Sequence, residues 1–281
     1  MSVPVLTYHA GLVEGPDYAR NDHVALREDL AAIAASGRRI VPLQHVVDAR
    51  LGRRPWSSLE GGVALSCDDG TAFDAIRGRV YGEHGPQPSL LGVLEDWIAE
   101  DPGGRAGATI TGFLIASPEA REALDRACLF GRGDLDSGWW AAAARGGRYA
   151  IGSHGWDHNH PALPPARGVD LPRGDFFAVD RDARAEFQIA QAQALFRDAL
   201  GRAPTLFAYP FGHVPPFLRD DWLPRRGPAV GLEAAFDTTP APVDADSNRW
   251  ALPRYVCRWH WRSPEALLRL LDGGATDVSP A

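Results

Sequence analysis

The 281-residue sequence has little of three things that would announce a partner or a compartment. No stretch approaches the ~18 consecutive apolar residues of a membrane span, so none is expected. Its three cysteines are odd in number and widely separated, with no CxxC spacing, which excludes a disulfide framework and a cysteine metal knuckle. No basic stretch exceeds a pair: Arg38-Arg39, Arg53-Arg54 and Arg225-Arg226 read as solvated surface. With a net charge of −7 the chain offers no phosphate-binding stripe, so nucleic acid is excluded as a partner. The opening Met1-Ser2-Val3-Pro4 has neither a basic leader nor an apolar core. The expectation is a cytoplasmic protein, although an exported chain shorn of its leader reads the same.

What is present is an ordinary globular composition, 45% hydrophobic, with 30 glycines and 23 prolines punctuating it. Residues 3–8, 40–43, 62–67, 109–116, 149–151, 205–209, 229–236 and 250–258 read as strands. Helical patterns fall between them, around 26–36, 46–51, 90–99, from 118 onward, and around 137–145, 181–200 and 264–271. Ser117-Pro118-Glu119 and Ser263-Pro264-Glu265 are repeated helix openings, a hydroxyl cap followed by proline at the first helical position. Strands alternating with helices predict an α/β fold with a parallel sheet, open or closed into a barrel. No repeat or clear linker divides residues 1–281, so a single domain is expected. The Gly-, Pro- and charge-rich stretch 71–107 reads as an insertion and 159–179 as a loop. Nothing in the sequence sets an oligomeric state.

The chemistry concentrates after two strands. Gly62-Val63-Ala64-Leu65-Ser66-Cys67 ends in Asp68-Asp69-Gly70, and Ile151-Gly152-Ser153 leads into His154-Gly155-Trp156-Asp157-His158. Asp69, His154 and His158 make a three-ligand set for a catalytic divalent metal that keeps a position for water. Asp68 next door can accept that water's proton. Alone, Asp-Asp-Gly after a strand is also a common turn, and two histidines four apart are also a surface pair. Their combination at strand ends of an α/β pattern favours a metal site, because the carboxyl edge of a parallel sheet is where active sites collect. Cys67 has no adjacent cation to activate it and reads as a buried small side chain. His160, two beyond His158, would point away from His154 on a helix. Of nine tryptophans, Trp139, Trp140, Trp156, Trp259 and Trp261 suit either a sugar groove or the core.

These residues resemble a known family. Ser66-Cys67-Asp68-Asp69-Gly70 is similar to the Thr-Phe-Asp-Asp-Gly motif of the polysaccharide deacetylases (carbohydrate esterase family four), and His154 to His158 to that family's second motif. Phe207-Ala208-Tyr209-Pro210-Phe211-Gly212 resembles the third, Val3 to His9 the opening strand of many members, and Leu252-Pro253-Arg254 a late strand in some. The resemblance implies a deformed (β/α) barrel and removal of N-acetyl, sometimes O-acetyl, groups from a sugar or related amide. It implies Asp68 as base, and Asp69, His154 and His158 as ligands of one divalent ion, zinc by default. It also implies the Phe211 backbone N–H as oxyanion donor. Where the family carries a base-orienting arginine this chain has Ala208, and Arg254 is expected to take that duty. The family's late histidine motif, source of its general acid, is not evident; His260 is a candidate by position, equally readable as a histidine among tryptophans, and His9 can face the cleft. Two other readings stay open: a carbohydrate-binding relative without catalysis, and a non-haem Fe(II) enzyme, which also uses two histidines and a carboxylate.

Overall fold

The computed structural model describes residues 1–276. Its strands are β1 (Val5–Tyr8), β2 (Arg39–Ile40), β3 (Gly62–Asp69), β4 (Arg79–Val80), β5 (Pro86–Gln87), β6 (Ile110–Leu114), β7 (Tyr149–Ser153), β8 (Leu206–Ala208), β9 (Ala234–Phe236) and β10 (Tyr255–Val256). The helices are α1 (Asp22–Ala35), α2 (Leu43–Arg50), α3 (Leu90–Glu100), α4 (Pro118–Cys128), α5 (Trp140–Arg145), α6 (Asp182–Ala185), α7 (Gln191–Leu200), α8 (Leu223–Arg226) and α9 (Pro264–Leu271). The main sheet is parallel, ordered β10-β1-β3-β6-β7-β8-β9, with β2 also paired to β3. Bridges Phe236–Leu252 and Val3–Val243 tie the β9 side back towards the β1–β10 side. The sheet therefore curls into the deformed (β/α) barrel that the motifs imply, with β4–β5 as a separate antiparallel hairpin.

Alternation along the strands sorts the core into two faces. In β3, Val63, Leu65 and Cys67 join the large cluster under α1, α3 and α9, whereas Ala64 joins an inner cluster with Val5, Phe113, Ala208 and Phe236. Ser66 and Asp68 follow Ala64 on that inner face, and Thr7 of β1 meets Ser66 there, oxygen to oxygen at 2.8 Å. An acid thus stands at the mouth of an apolar barrel interior, at the carboxyl end of its strand.

The expected caps form. Ser117 accepts the Ala120 N–H at 3.1 Å and Ser263 the Ala266 N–H at 3.2 Å, each before a proline. α6 and α7 run together through a π-turn, Glu186–Ala190, and Gly201 (φ 77°) ends them. α3 packs against α1, and its Leu90, Leu94 and Ile98 belong to the large core.

Three predicted strands are cut to half their expected length or less. The run 40–43 keeps only Arg39–Ile40, because Pro42 supplies no N–H and Leu43 already opens α2. In 229–236 a 3-10 turn, Pro228–Val230, and left-handed Gly231 occupy the start, leaving Ala234–Phe236. In 250–258, Pro253 interrupts the ladder between the Leu252 bridge and β10. The helical turns Leu218–Trp222 and α8 had no sequence expectation. Trp139, Trp140 and Trp261 are buried in the large core, Trp156 is half-buried against it, and Trp259 is exposed.

Candidate functional site

Neighbouring residues on a strand point to opposite faces, so Asp68 and Asp69 should diverge. They converge because Asp69 adopts a left-handed backbone (φ 74°) and Gly70 follows suit (φ 77°). Only glycine fits at 70: a Cβ there would stand 3.1 Å from the Leu114 Cα and closer still to its side chain. Asp68 stays on the inner face, 4% exposed, while the Asp69 side chain is 40% exposed and swings towards the histidines.

Asp68 is held by Arg254, which is fully buried. Nη1 and Nη2 donate to its two oxygens at 2.7 and 2.9 Å, and Nε donates to the Asp237 carbonyl at 3.0 Å. The guanidinium also lies 5.0 Å over the Phe113 ring. Burial pushes the Asp68 carboxyl up, but the Arg254 and His154 charges and the Arg254 hydrogen bonds outweigh it and hold it well below the usual carboxylate range. The arginine missing at position 208 is thus matched by one from beyond β9, with bidentate geometry.

The histidine segment leaves β7 as a loop, not a helix: Gly155 (φ 83°), His158 (φ 61°) and Asn159 (φ 49°) are all left-handed. The helical argument for His160 therefore falls away. That ring lies 5.8 Å from His158, and its Nδ1 accepts the Ala162 N–H. His154 donates from Nδ1 to the Ala208 carbonyl at 2.8 Å, the pairing that leaves Nε2 as an acceptor. Its Nε2 stands 3.8 Å from Asp69 Oδ1, and His158 Nε2 stands 3.7 Å from the same oxygen. Burial first, then His154 and His160, hold the His158 imidazole well below its ordinary pKa, in the neutral form that can ligate.

The three residues fit a divalent ion. One ligand atom from each lies within 4.8 Å of the others. Atoms bonded to one zinc at ~2.0–2.2 Å are at most roughly 4.4 Å apart, which both carboxylate–nitrogen separations satisfy. The nitrogen–carboxylate donor set also suits cobalt or nickel.

Residues that the sequence reading passed over brace this loop. Asp157, 4% exposed, accepts Gln188 Nε2 at 2.6 Å and the Asn159 N–H at 3.0 Å on one oxygen, and Arg173 Nη1 at 2.6 Å on the other. Gln188 lies in the π-turn, which marks it only once the helix is seen to be irregular. Asn159 Nδ2 donates to the carbonyls of Pro172 and Asp175 at 2.7 and 2.9 Å, tying the His158 turn to the 159–179 loop. The only sequence signal for this network was the acid between the two histidines.

Phe211 sits in the turn after β8 with φ 60°, its ring 4.4 Å from His158. His9, at the end of β1, has a buried Nδ1 with no hydrogen-bond partner among the described residues. His260 accepts the Val256 N–H on Nδ1 at 2.7 Å in its own turn. No bond, ion pair or ring contact joins it to Asp68, Asp69, His154 or His158 among the described residues. Cys67 is buried, its thiol pushed up first by burial and then by Asp74.

The polysaccharide deacetylase family model matches residues 105–221, a span that includes His154, His158 and Phe211 but not the acidic pair. Among solved structures, the chain is similar to the Streptococcus pyogenes deacetylase PplD in complex with acetate, at 15% identity and TM-score 0.61, over 96% of this chain and 98% of that one. It is similar to IcaB from Ammonifex degensii at 20% identity and TM-score 0.60, over 91% of each chain. A de-N-acetylase from Aggregatibacter actinomycetemcomitans matches at 16% identity and TM-score 0.59, over 91% of this chain and 94% of that one. No curated protein sequence matches the chain. The resemblance read from the motifs is met by the family model over residues 105–221 and, along the chain, by the fold.

Proposed function

We propose that this chain, a polysaccharide deacetylase by family signature and fold, is a metal-dependent hydrolase that removes an acetyl group from an N-acetylated, or O-acetylated, sugar. The observation that carries the reading is the meeting of an ionised, arginine-clamped Asp68 with the Asp69–His154–His158 set. A divalent ion held by those three, zinc by default, would polarise the acetyl carbonyl and acidify a water from ~16 towards ~7.

Asp68 is the base. Arg254 keeps it ionised and fixes both oxygens, and Oδ2, 4.0 Å from His154 Nε2, faces the ligand cluster. Its depressed pKa makes it a weak base, suited to taking the proton of an already acidified water and to little else. The Phe211 N–H is the proposed donor to the oxyanion that forms on the carbonyl. Protonation of the leaving amine falls to His9 rather than His260, because His9 follows β1, the strand paired with the Asp68 strand, and has an unpartnered Nδ1 among the described residues, whereas His260 Nδ1 accepts the Val256 N–H in its own turn.

The test is elemental analysis of the purified protein together with acetate release from acetylated sugars. About one zinc per chain is expected, lost in the His154→Ala/His158→Ala double variant. Asp68→Asn should retain the ion and lose roughly 10²–10⁴ in rate. A wild type that binds zinc but releases no acetate would favour a carbohydrate-binding relative. An iron-loaded, oxygen-dependent protein would replace the hydrolase reading with an oxygenase.

A further inference from the structure

Three arginines are buried among the described residues, and two of them are matched by acids. Arg254 grips Asp68, and Arg184 meets Asp180 at 3.0 Å and Asp170 at 3.3 Å. Arg121, one turn into α4 and 5% exposed, has no carboxylate within ion-pair distance among the described residues. Its Nη1 is enclosed without a hydrogen-bond partner, and Nε donates to the Ser117 carbonyl at a long 3.4 Å. The Trp140 ring lies 4.3 Å from the guanidinium carbon and covers one face, but supplies no lone pair. Burial brings this guanidinium down to about 10, against the Asp136 and Glu119 charges, which act the other way. Even so, an arginine stays charged at neutral pH, and a buried charge without a partner weighs heavily against a fold.

The side chain does not end in packed core. It stands on the wall of a cavity of about 330 Å³ between α4 and residues 131–137, roomy enough for a small metabolite. Pro118 and Arg121 bring to that wall the N-terminal turn of an 11-residue helix, whose dipole adds positive potential. Glu119, in the same turn, takes the Ser117 hydroxyl at 3.1 Å and does not line the cavity. The acids that do line it are engaged. Glu122 pairs with Arg126 at 2.5 Å, Asp125 accepts the Gly133 and Asp134 N–H groups at 2.8 and 3.0 Å, and Asp136 accepts the Gly138 N–H at 2.9 Å. Ser137, also on the wall, carries an exposed hydroxyl that can donate. A guanidinium without a counter-charge, a hydroxyl and a helix N-terminus together suit the oxygens of a phosphate or carboxylate group. None of Asp68, Asp69, His154 and His158 lines this cavity.

We propose that the cavity between α4 and residues 131–137 is a second binding site, for a small molecule whose phosphate or carboxylate group neutralises Arg121. The site is independent of the deacetylase reading.

The test is calorimetric titration of the full chain with inorganic phosphate, glycerol 3-phosphate and acetate, in chloride buffer at constant ionic strength. Wild type should bind at least one of them at a single site that survives in the His154→Ala/His158→Ala double variant, where an anion seated on the proposed metal would be lost. In Arg121→Met, which keeps the packing on Trp140, Kd for that anion should rise roughly tenfold or more. Arg121→Lys, which keeps the charge without the planar fork, should weaken binding by a smaller factor and serves if Arg121→Met does not fold. Asp136→Asn removes a neighbouring negative charge and should tighten binding roughly twofold to fivefold. A preference for the two phosphates assigns a phosphate ligand and a preference for acetate a carboxylate; either order upholds the site. Wild type that binds none of the probes would overturn it, as would a Kd that neither Arg121 variant changes. Asp136→Asn that binds no tighter and melts lower would also overturn it, by making Asp136 the partner of Arg121 in solution.

Discussion

Asp68 and Asp74 lie on one stretch of chain, both are buried, and they end in opposite states. Asp68 meets a guanidinium and is held ionised. Asp74 meets only neutral donors, the Thr71 and Tyr149 hydroxyls at 2.9 and 2.7 Å and the Cys67 thiol at 3.4 Å. Burial prevails there and pushes its carboxyl up to about 7. Asp29 repeats the second pattern under α9, receiving Tyr8, Tyr18 and Trp261, and is also raised to about 7. The difference teaches that burial alone does not set the charge of an acid; the partner does. In this protein the acid proposed as base has a matched cation, and Asp74 and Asp29 do not.

The strongest way to break the contrast is Arg254→Met, which makes Asp68 resemble Asp74. Stranding a buried charge should cost roughly 3–5 kcal/mol in denaturant unfolding, and the variant should lose acetate release with it. Adding Asp68→Asn to Arg254→Met should recover part of the stability and none of the activity.

The second prediction concerns pH. An acid whose folded pKa is raised above its unfolded value near 4 binds its proton more tightly when folded. It therefore favours the fold at low pH and loses that advantage as pH rises from about 4 through about 7. Each of Asp74 and Asp29 contributes a decline of at most roughly 1.4 kcal/mol per pH unit across that window. Asp74→Asn should flatten the wild-type decline in melting temperature between pH 5 and about 7, and the double variant with Asp29→Asn should flatten it further. An unchanged slope would mean that these acids are ionised in the fold like Asp68.

The smallest effect belongs to a neutral hydroxyl. Ser117→Ala removes the α4 cap for about 1 kcal/mol of stability and should leave acetate release within twofold, since no charge is stranded.

The acidic pair, the histidine pair and the strand–helix alternation were legible in the sequence because each is a local pattern. The convergence of Asp68 and Asp69 was not: on a regular strand they point apart, and no periodicity encodes the left-handed turn at 69. The same holds for the His154–His158 segment, whose spacing suggests a helix while its backbone forms a loop. Arg254 was reachable through Leu252-Pro253-Arg254, but its grip on Asp68 joins residues far apart in the chain.

Of the six non-glycine residues with positive φ among those described, Asp69, His158, Asn159 and Phe211 cluster around the proposed site. Such backbones cost of order 1–3 kcal/mol each, least for Asp and Asn. The chain therefore carries conformational tension at its proposed ligands, and an ion held there would draw on the same free energy that keeps the fold together. Loading and folding become linked equilibria: an ion at a thousand times its dissociation constant would add about 4 kcal/mol to unfolding. Thermal stability then serves as a gauge of site occupancy, readable before any substrate is known.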